Sequence, residues 1–555
     1  MTNENLSQDK SKPQLRLAII GGGSSGLISL KNSLDLLPDW EIVCFEKSDQ
    51  IIGCWGNPYP QFVSTSTKYT TQFACFPKFD ALCLPDHGAS RSEFFRDDEY
   101  GQYLEEFADE FALRSHIKLK TSVENICRDA EDAGWNLTIR DGSQTEAETR
   151  EERFDHVILC TGLAAQPKQI DSEIESLSVA ELNHAKGLSH IKDKKIVVIG
   201  GGESAVDYAN RLARPELKNE VYLSLKSGIR VSPRYHPIRS VPSDFLRNRL
   251  MLSIHPDIRN WIGQRFVEWR IQYQETFEWL FPKSKGESEP AETSQESINQ
   301  NRKDWAYKLT KTAKDDLFNM FHNKSDDFLD AVGDDRISII GESIDNRFTT
   351  FHEYDSDQEI EVRPDLIVPA VGYRSILNEL SEGEIQLPDF YLGCCHVNYS
   401  DLFLVGFARP IIGNIPTISE VQAQFVCGMI DGKYQRPEEI EAIHRADSDF
   451  RKLRYKNLNR ESVYPVEMFP YCDHLTRLMH TFPTVKSVGS LFAWCRMQLA
   501  PATTLHYLRD ETAVRDSSKP VPIYMPPVLI AILLVLKPIS WFYSACSWIR
   551  QRLSS

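Results

Sequence analysis

No CxxC pair occurs in this 555-residue chain, and its twelve cysteines are scattered, with only Cys394 and Cys395 adjacent. That distribution offers neither a redox dithiol nor a metal-ligand spacing, so a flavin disulfide reductase and a structural zinc site are disfavoured. Basic excess is missing too. Lys and Arg number 63 against 79 Asp and Glu, for a net charge of -16, so the positive footprint that nucleic-acid binding requires is lacking. Met1 to Pro13 contains no apolar run; a secretory signal peptide is not expected, and free thiols on a reducing, cytosolic side follow. Solenoid-type repeats are absent as well.

What is present is an ordinary globular composition, 41% apolar and 26% charged, in a chain too long for one core. Two units share one grammar. The apolar run Leu15–Ile20 enters Gly21-Gly22-Gly23-Ser24-Ser25-Gly26, followed by Leu27, Leu30, Leu34 and Leu37 at helical spacing and then a second apolar run, Glu41–Phe45. About 180 residues later, Ile196–Ile199 enters Gly200-Gly201-Gly202-Glu203-Ser204-Ala205, with Tyr208, Ala209 and Leu212 on the helix that follows. Buried parallel strands running through glycine turns into helices are the units of doubly wound α/β domains.

Each glycine has a physical task. Gly21 permits the tight turn, Gly23 lets backbone approach a pyrophosphate, and Gly26 lets the helix pack on its strand. The anion then sits on unpaired N–H groups at the helix N-terminus. Glu46, 20 residues after Gly26 at the end of the second strand, is placed to bind ribose hydroxyls. In the second unit Gly200 and Gly202 repeat the pattern, Ser204 follows, and Ala205 replaces the third glycine. Here the strand Val221–Leu225 ends in Lys226, with Arg230 beyond, rather than in an acid. A basic residue there attracts a 2′-phosphate, which favours NADP over NAD; the alternative is that both are solvated.

Several further segments carry a resemblance. Phe45-Glu46 followed by Gly53-Cys54-Trp55, Val63–Lys68 (VSTSTK), Cys160-Thr161-Gly162, Asp365–Tyr373 (DLIVPAVGY), Gly406, and the run Pro416–Gln424 with Gln422 are similar to segments of the flavin-containing monooxygenases. With their Baeyer–Villiger and N-hydroxylating relatives, these are the class B FAD- and NADPH-dependent flavoprotein monooxygenases. The resemblance spans about residues 15–435. Ile52 stands where the family has a glycine, Thr65 where it has an asparagine, and Val371 where it has a threonine; in the FxGxxxH segment before the second glycine turn, Ser178 and Ala180 precede His184. The resemblance implies FAD beside Trp55, Thr65, Gly162, Gly406 and Gln422. It also implies NADPH in the second domain and oxygen transfer from dioxygen, through a C4a-hydroperoxyflavin, to a small N-, S- or carbonyl-containing substrate. The departures leave open a flavin oxidoreductase without oxygen insertion and a catalytically silent, membrane-bound homologue.

The expected fold is therefore α/β, with two Rossmann-type dinucleotide domains, the NADP domain inserted in the FAD domain. The boundaries read as a disordered lead at 1–13, FAD domain at 14–175, and NADP domain at 176–334 with a polar, flexible insertion at 283–302. The FAD domain resumes at 335–440, a helical region occupies 441–522, and a hydrophobic tail closes the chain at 523–555. His236, His255, His322, His352 and His396 lack ligand spacing, and Trp261 and Trp269 fall on a helix-like pattern that suggests packing. Val528–Ile549 is 22 residues with one charge, Lys537, next to Pro538. That length could cross a bilayer, but a lysine at mid-depth costs about 2.5–3.5 kcal/mol and proline breaks a backbone bond. A helix lying in the interface on the cytosolic face fits better, with a helix docked on the protein's own surface as the alternative.

Overall fold

The chain is described by a computed structural model, which places residues 14–554 apart from 57, 80–92, 130–132, 143–147, 185–186, 237–240, 277–294, 459 and 508–522. The expected lead at 1–13 lies outside the described residues. Two sheets organise the rest. The first has seven strands in the order Phe390–Tyr391, Cys395–His396, Leu402–Leu404, His156–Leu159, Arg16–Ile20, Glu41–Phe45, Ile117–Lys118. Arg16–Ile20 lies parallel between its two neighbours, with Ile20 opposite both Phe45 and Leu159. The second has six strands in the order Glu359–Glu361, Thr350–Glu353, Ile337–Ser343, Glu220–Ser224, Lys195–Ile199, Leu366–Pro369. Each sheet has its own apolar core, so the α/β architecture with two Rossmann-type units is as expected.

The two units repeat each other in detail. Gly21 donates its N–H to Phe45 O at 2.8 Å, and Gly200 donates its N–H to Ser224 O at 3.1 Å. In both cases the chain leaves the strand at a glycine with positive φ, 108° at Gly21 and 132° at Gly200, a region that side chains disfavour. The helices Ser24–Leu36 and Glu203–Leu212 then begin, with Gly23 and Gly202 at their N-caps.

Two expected extents and one expected content differ. Ile337–Ser343, the hairpin strands Thr350–Glu353 and Glu359–Glu361, and Leu366–Pro369 all belong to the second sheet. That domain therefore extends to Pro369 instead of closing at 334, because the apolar run Leu366–Pro369 is buried only when paired with Ile196–Ile199. Of the insertion 283–302, residues 283–294 lie outside the described residues, while Gln295 opens a helix to Lys311. Leu309 and Trp305 anchor that helix on the second core, which the polar composition of its first half conceals. In the stretch 441–522, helices Ile440–Arg454 and Met468–Leu478 flank a strand, Tyr464–Glu467, paired parallel with Ala408–Ile412.

One junction between the lobes bears on the site. The strand Val63–Thr67 is gripped through its backbone: Arg234 donates from Nη2 to Val63 O at 2.8 Å and from Nε to Ser64 O at 2.9 Å. Lys324 donates to Thr65 O at 2.7 Å, and Thr67 donates its N–H to Asp244 Oδ2 at 2.8 Å.

Candidate functional site

Both glycine turns open onto one cavity of about 1950 Å³, well above the range of about 300–1000 Å³ typical for a single drug-sized ligand. The helices that point into it begin without a side-chain cap. Neither Gly23 nor Gly202 supplies a side-chain cap, whereas Asn414 caps Ile415–Ile430 by accepting from Thr417 N–H. Uncapped N–H groups at a helix start are an anion site.

The glycines divide by what a Cβ would strike. At Gly26 it would fall 1.8 Å from Gly21 O, and at Gly21 2.5 Å from Cys160 O, so the protein's own backbone demands both. At Gly23 the nearest atom is Gly53 Cα at 3.6 Å, and at Gly202 nothing lies within 4 Å. Nothing in the protein forbids a side chain there; the space suits an approaching ligand. Gly162, with φ 77° and nothing within 4 Å, also lines the cavity.

Glu46, buried at the cavity wall, accepts Gly22 N–H at 2.7 Å on one oxygen and Ser48 N–H and Oγ–H at 2.8 and 2.7 Å on the other. It thereby fixes the first turn as well as facing the cavity. Trp55 lines the wall and meets Tyr100 edge-on at 4.7 Å between centroids; Thr65 lines it too. On the second side Lys226 is 73% exposed and paired with Glu342 at 3.1 Å. Arg230 is different: 5% exposed, facing the cavity, with Nε and Nη1 lacking any partner and Nη2 reaching Asp315 O at 3.4 Å. Burial pushes its pKa down, only partly offset by Asp316 and Glu268.

Four expected contact residues do not reach the cavity lining. Gln422 is fully buried; its Oε1 accepts Gly406 N–H at 3.1 Å and its Nε2 donates to Tyr471 OH at 2.9 Å. Its amide therefore positions Gly406, which does line the cavity, instead of meeting a cofactor directly. Ala205 packs in the second core, and Gly26 sits against Gly21. Ser204 stands one residue beyond the lining turn, bonded to the cavity residue Tyr373.

Sequence reasoning missed the charged interior. Arg409, Arg247, Arg270, His236 and His322 line the cavity but belong to no motif, and Glu203, inside the second glycine turn, was assigned no role there. Burial pushes the Glu203 carboxyl up, against the pull of Arg409, Lys324 and Arg234, and Arg409 stacks 3.8 Å from the Phe321 ring centroid. Trp261, expected to pack, is 66% exposed.

The model of the flavin-binding monooxygenase-like family matches residues 14–296. The chain belongs to that family. It is accordingly a flavin-dependent monooxygenase whose cofactors are FAD and NADPH. Among curated relatives it is 25% identical over 491 residues to a 4-hydroxybenzoate brominase (decarboxylating) of Marinomonas mediterranea, covering 85% of each chain. It is 24% identical over 450 residues to flavin-containing monooxygenase 1 of Homo sapiens, covering 76% of this chain and 75% of that one. Its fold is shared with cyclohexanone monooxygenase from Rhodococcus sp. Phi1 bound to NADP+ (TM-score 0.54, 17% identity, 84% of this chain and 98% of that). S-allyl-L-cysteine S-oxygenase from Allium sativum is similar at TM-score 0.51 and 16% identity, over 83% and 88% of the two chains.

Proposed function

We propose that this enzyme inserts one atom of dioxygen into a small N-, S- or carbonyl-containing substrate, the other atom leaving as water while NADPH and one proton become NADP+. The observation that carries the reading is the opening of two uncapped glycine-turn helices into one shared cavity. FAD supplies the electron transfer from NADPH and the activation of dioxygen. The chain's own residues bind and orient. Gly21, Gly23 and the start of Ser24–Leu36 hold the FAD pyrophosphate, Gly26 sets the packing of that helix, and Glu46 holds the adjoining ribose. Trp55, Thr65, Gly162 and Gly406 bound the rest of the flavin, with Gln422 behind Gly406. Gly200, Gly202 and the N-terminus of Glu203–Leu212 hold the NADPH pyrophosphate, and Ser204 and Ala205 set that helix. Arg230 takes the 2′-phosphate, with Lys226 at the rim. Apolar walls keep water from the reacting atoms.

The test is NADPH-driven oxygen uptake by the flavin-loaded protein with a thioether or amine present. Product matching the NADPH consumed, with little hydrogen peroxide, is expected; stoichiometric peroxide with every substrate would instead assign an oxidoreductase that does not insert oxygen. Adding 4-hydroxybenzoate and bromide covers the chemistry named for the Marinomonas mediterranea relative, and a brominated phenol would move the chain to that reading.

The C-terminal tail is a second element of the proposal: it lies on the cytosolic face of a membrane. The helix Pro527–Ser554 includes a stretch, Pro527–Cys546, long and apolar enough to cross a bilayer. One side is docked. Lys537 donates to Ser253 O at 2.8 Å, Ser540 Oγ accepts His255 N–H at 2.7 Å, and Tyr543 OH donates to Asp257 at 3.1 Å, while Leu529, Leu533 and Leu536 line the cavity. The other side is bare, with Val535 64% and Phe542 73% exposed. Bonding to Ser253 spares Lys537 the cost of entering lipid, so one-sided insertion suits this helix better than a full span. Flotation with phosphatidylcholine vesicles should carry the wild type upward and leave a V535E/F542E variant behind. Alkaline carbonate should release the bound protein; retention through that wash would mean a spanning helix.

A further inference from the structure

Three stretches far apart in the chain meet at one buried amide. Asn248, fully buried, accepts Met251 N–H on Oδ1 at 2.9 Å, donates from Nδ2 to Met525 Sδ at 3.4 Å, and pairs through its backbone with Pro501. Met251, Ala502 and Met525 all line the cavity, so Asn248 fastens three segments into one apolar wall. That wall adjoins the first lobe. Asp244, on the turn just before Asn248, accepts from Thr67 N–H and Thr70 Oγ–H at 2.8 and 3.1 Å, and Thr70 O accepts from Asn414 Nδ2 at 2.7 Å. Thr70 and Asn414 line the same cavity.

The C-terminal helix carries the wall onward from Met525. Leu529, Leu533 and Leu536 are half-buried and line the cavity, and Ser540, next along the same stripe, is buried. Side chains three and four residues apart share one face of a helix. Leu534, Val535 and Ile539, off that face, are exposed. The stripe is fixed at both ends. Before it, Tyr524 stacks on Phe245 with 4.7 Å between ring centroids, and Met525 meets Asn248. Beyond it, Lys537 donates to Ser253 O and Ser540 accepts from His255 N–H, and Met251 and Ile254, on either side of Ser253, line the cavity. An anchor needs only the outer apolar face. The inner leucines face open space, and an apolar molecule filling it completes their burial.

We propose that Leu529, Leu533 and Leu536 form the end wall of the substrate chamber and set the length of apolar chain that the oxygenated molecule carries. This rests on the oxygenase reading above and names the part of the substrate that is selected. The reacting nitrogen, sulfur or carbonyl group lies toward Thr70 and Asn414, and the apolar body runs past Met251 and Met525 to the tail. The tail thus has two faces with two tasks, the outer one toward lipid and the inner one toward substrate.

The probes are thioanisole and 4-butylthioanisole, titrated calorimetrically into the full-length, flavin-loaded protein in vesicle-free buffer and then tested for turnover with NADPH. The butyl compound is expected to bind about tenfold or more tighter. Leu533→Trp should cut its affinity about tenfold and leave that of thioanisole unchanged. Leu534→Trp, one position on and facing outward, should alter neither. If Leu533→Trp does not fold, Leu536→Ala carries the test, weakening the butyl compound alone. Equal binding of the two thioethers overturns the proposal. So does a loss in Leu533→Trp that both compounds share, or that Leu534→Trp matches, since a purely structural helix would behave that way. Turnover separates this from the underlying reading. Selective binding of the butyl compound with only peroxide formed keeps the chamber and fails the oxygenase; sulfoxidation of both compounds at rates indifferent to Leu533→Trp keeps the oxygenase and fails the chamber.

Discussion

Gly26→Ala is expected to yield little soluble protein, whereas Gly23→Ala folds normally and purifies without flavin. The two positions sit in one turn, yet they differ in what constrains them. A methyl at 26 would lie 1.8 Å from Gly21 O, with Gly21 C at 2.9 Å, and neither is a side chain that can swing away. Relief requires separating the helix from its strand, an overpacking cost of about 1–3 kcal/mol or more, in a domain built on that strand. At 23 the nearest protein atom is 3.6 Å away, so a methyl costs the empty fold little. It would instead occupy the path of the pyrophosphate, lowering flavin affinity by roughly ten- to a hundredfold at the same overpacking cost. Circular dichroism, flavin content and the melting shift on adding FAD distinguish the cases: Gly23→Ala should keep the spectrum and lose the shift. A Gly23→Ala protein carrying wild-type flavin would remove the pyrophosphate from this turn.

Arg230→Met should raise KM for NADPH about ten- to a hundredfold, from loss of a charge-assisted hydrogen bond, and leave KM for NADH unchanged. The same substitution should not lower the melting temperature of the nucleotide-free protein. Arg230 keeps two guanidinium nitrogens without partners in a buried position, so exchanging it for an apolar side chain of similar length removes an uncompensated charge. Lys226→Met provides the contrast. Exposed and already paired with Glu342, Lys226 should contribute only a few-fold, as surface charges do. Equal losses with NADH and NADPH in Arg230→Met would show that the arginine acts on something both nucleotides share.

The repeated strand–glycine–helix units were legible because their determinants are local: an apolar run, a turn only glycine can make, then helical periodicity. Extents were less legible. Leu366–Pro369 joins a strand some 170 residues upstream, and no local pattern tells one buried parallel sheet from another. The resemblance pointed to the helix bearing Gln422, but only packing shows that its amide turns inward to Gly406 and Tyr471. Arg230 and Lys226 were equal candidates by position; burial separates them. Arg247, Arg270 and His236 come from stretches without any motif, and only packing brings them to the cavity wall.

The strand Val63–Thr67 is anchored to the second lobe by carbonyl oxygens, at Val63, Ser64 and Thr65, with Arg234 and Lys324 as donors. Every amino acid owns a carbonyl, so the anchor is indifferent to which residue occupies those places. Position 65, where this chain has threonine, can therefore be rewritten by a single codon without re-engineering the junction around it. Variation at this site is cheap for a lineage to explore, and an exchange made there in the laboratory reports on chemistry at the cavity wall, with the architecture held constant.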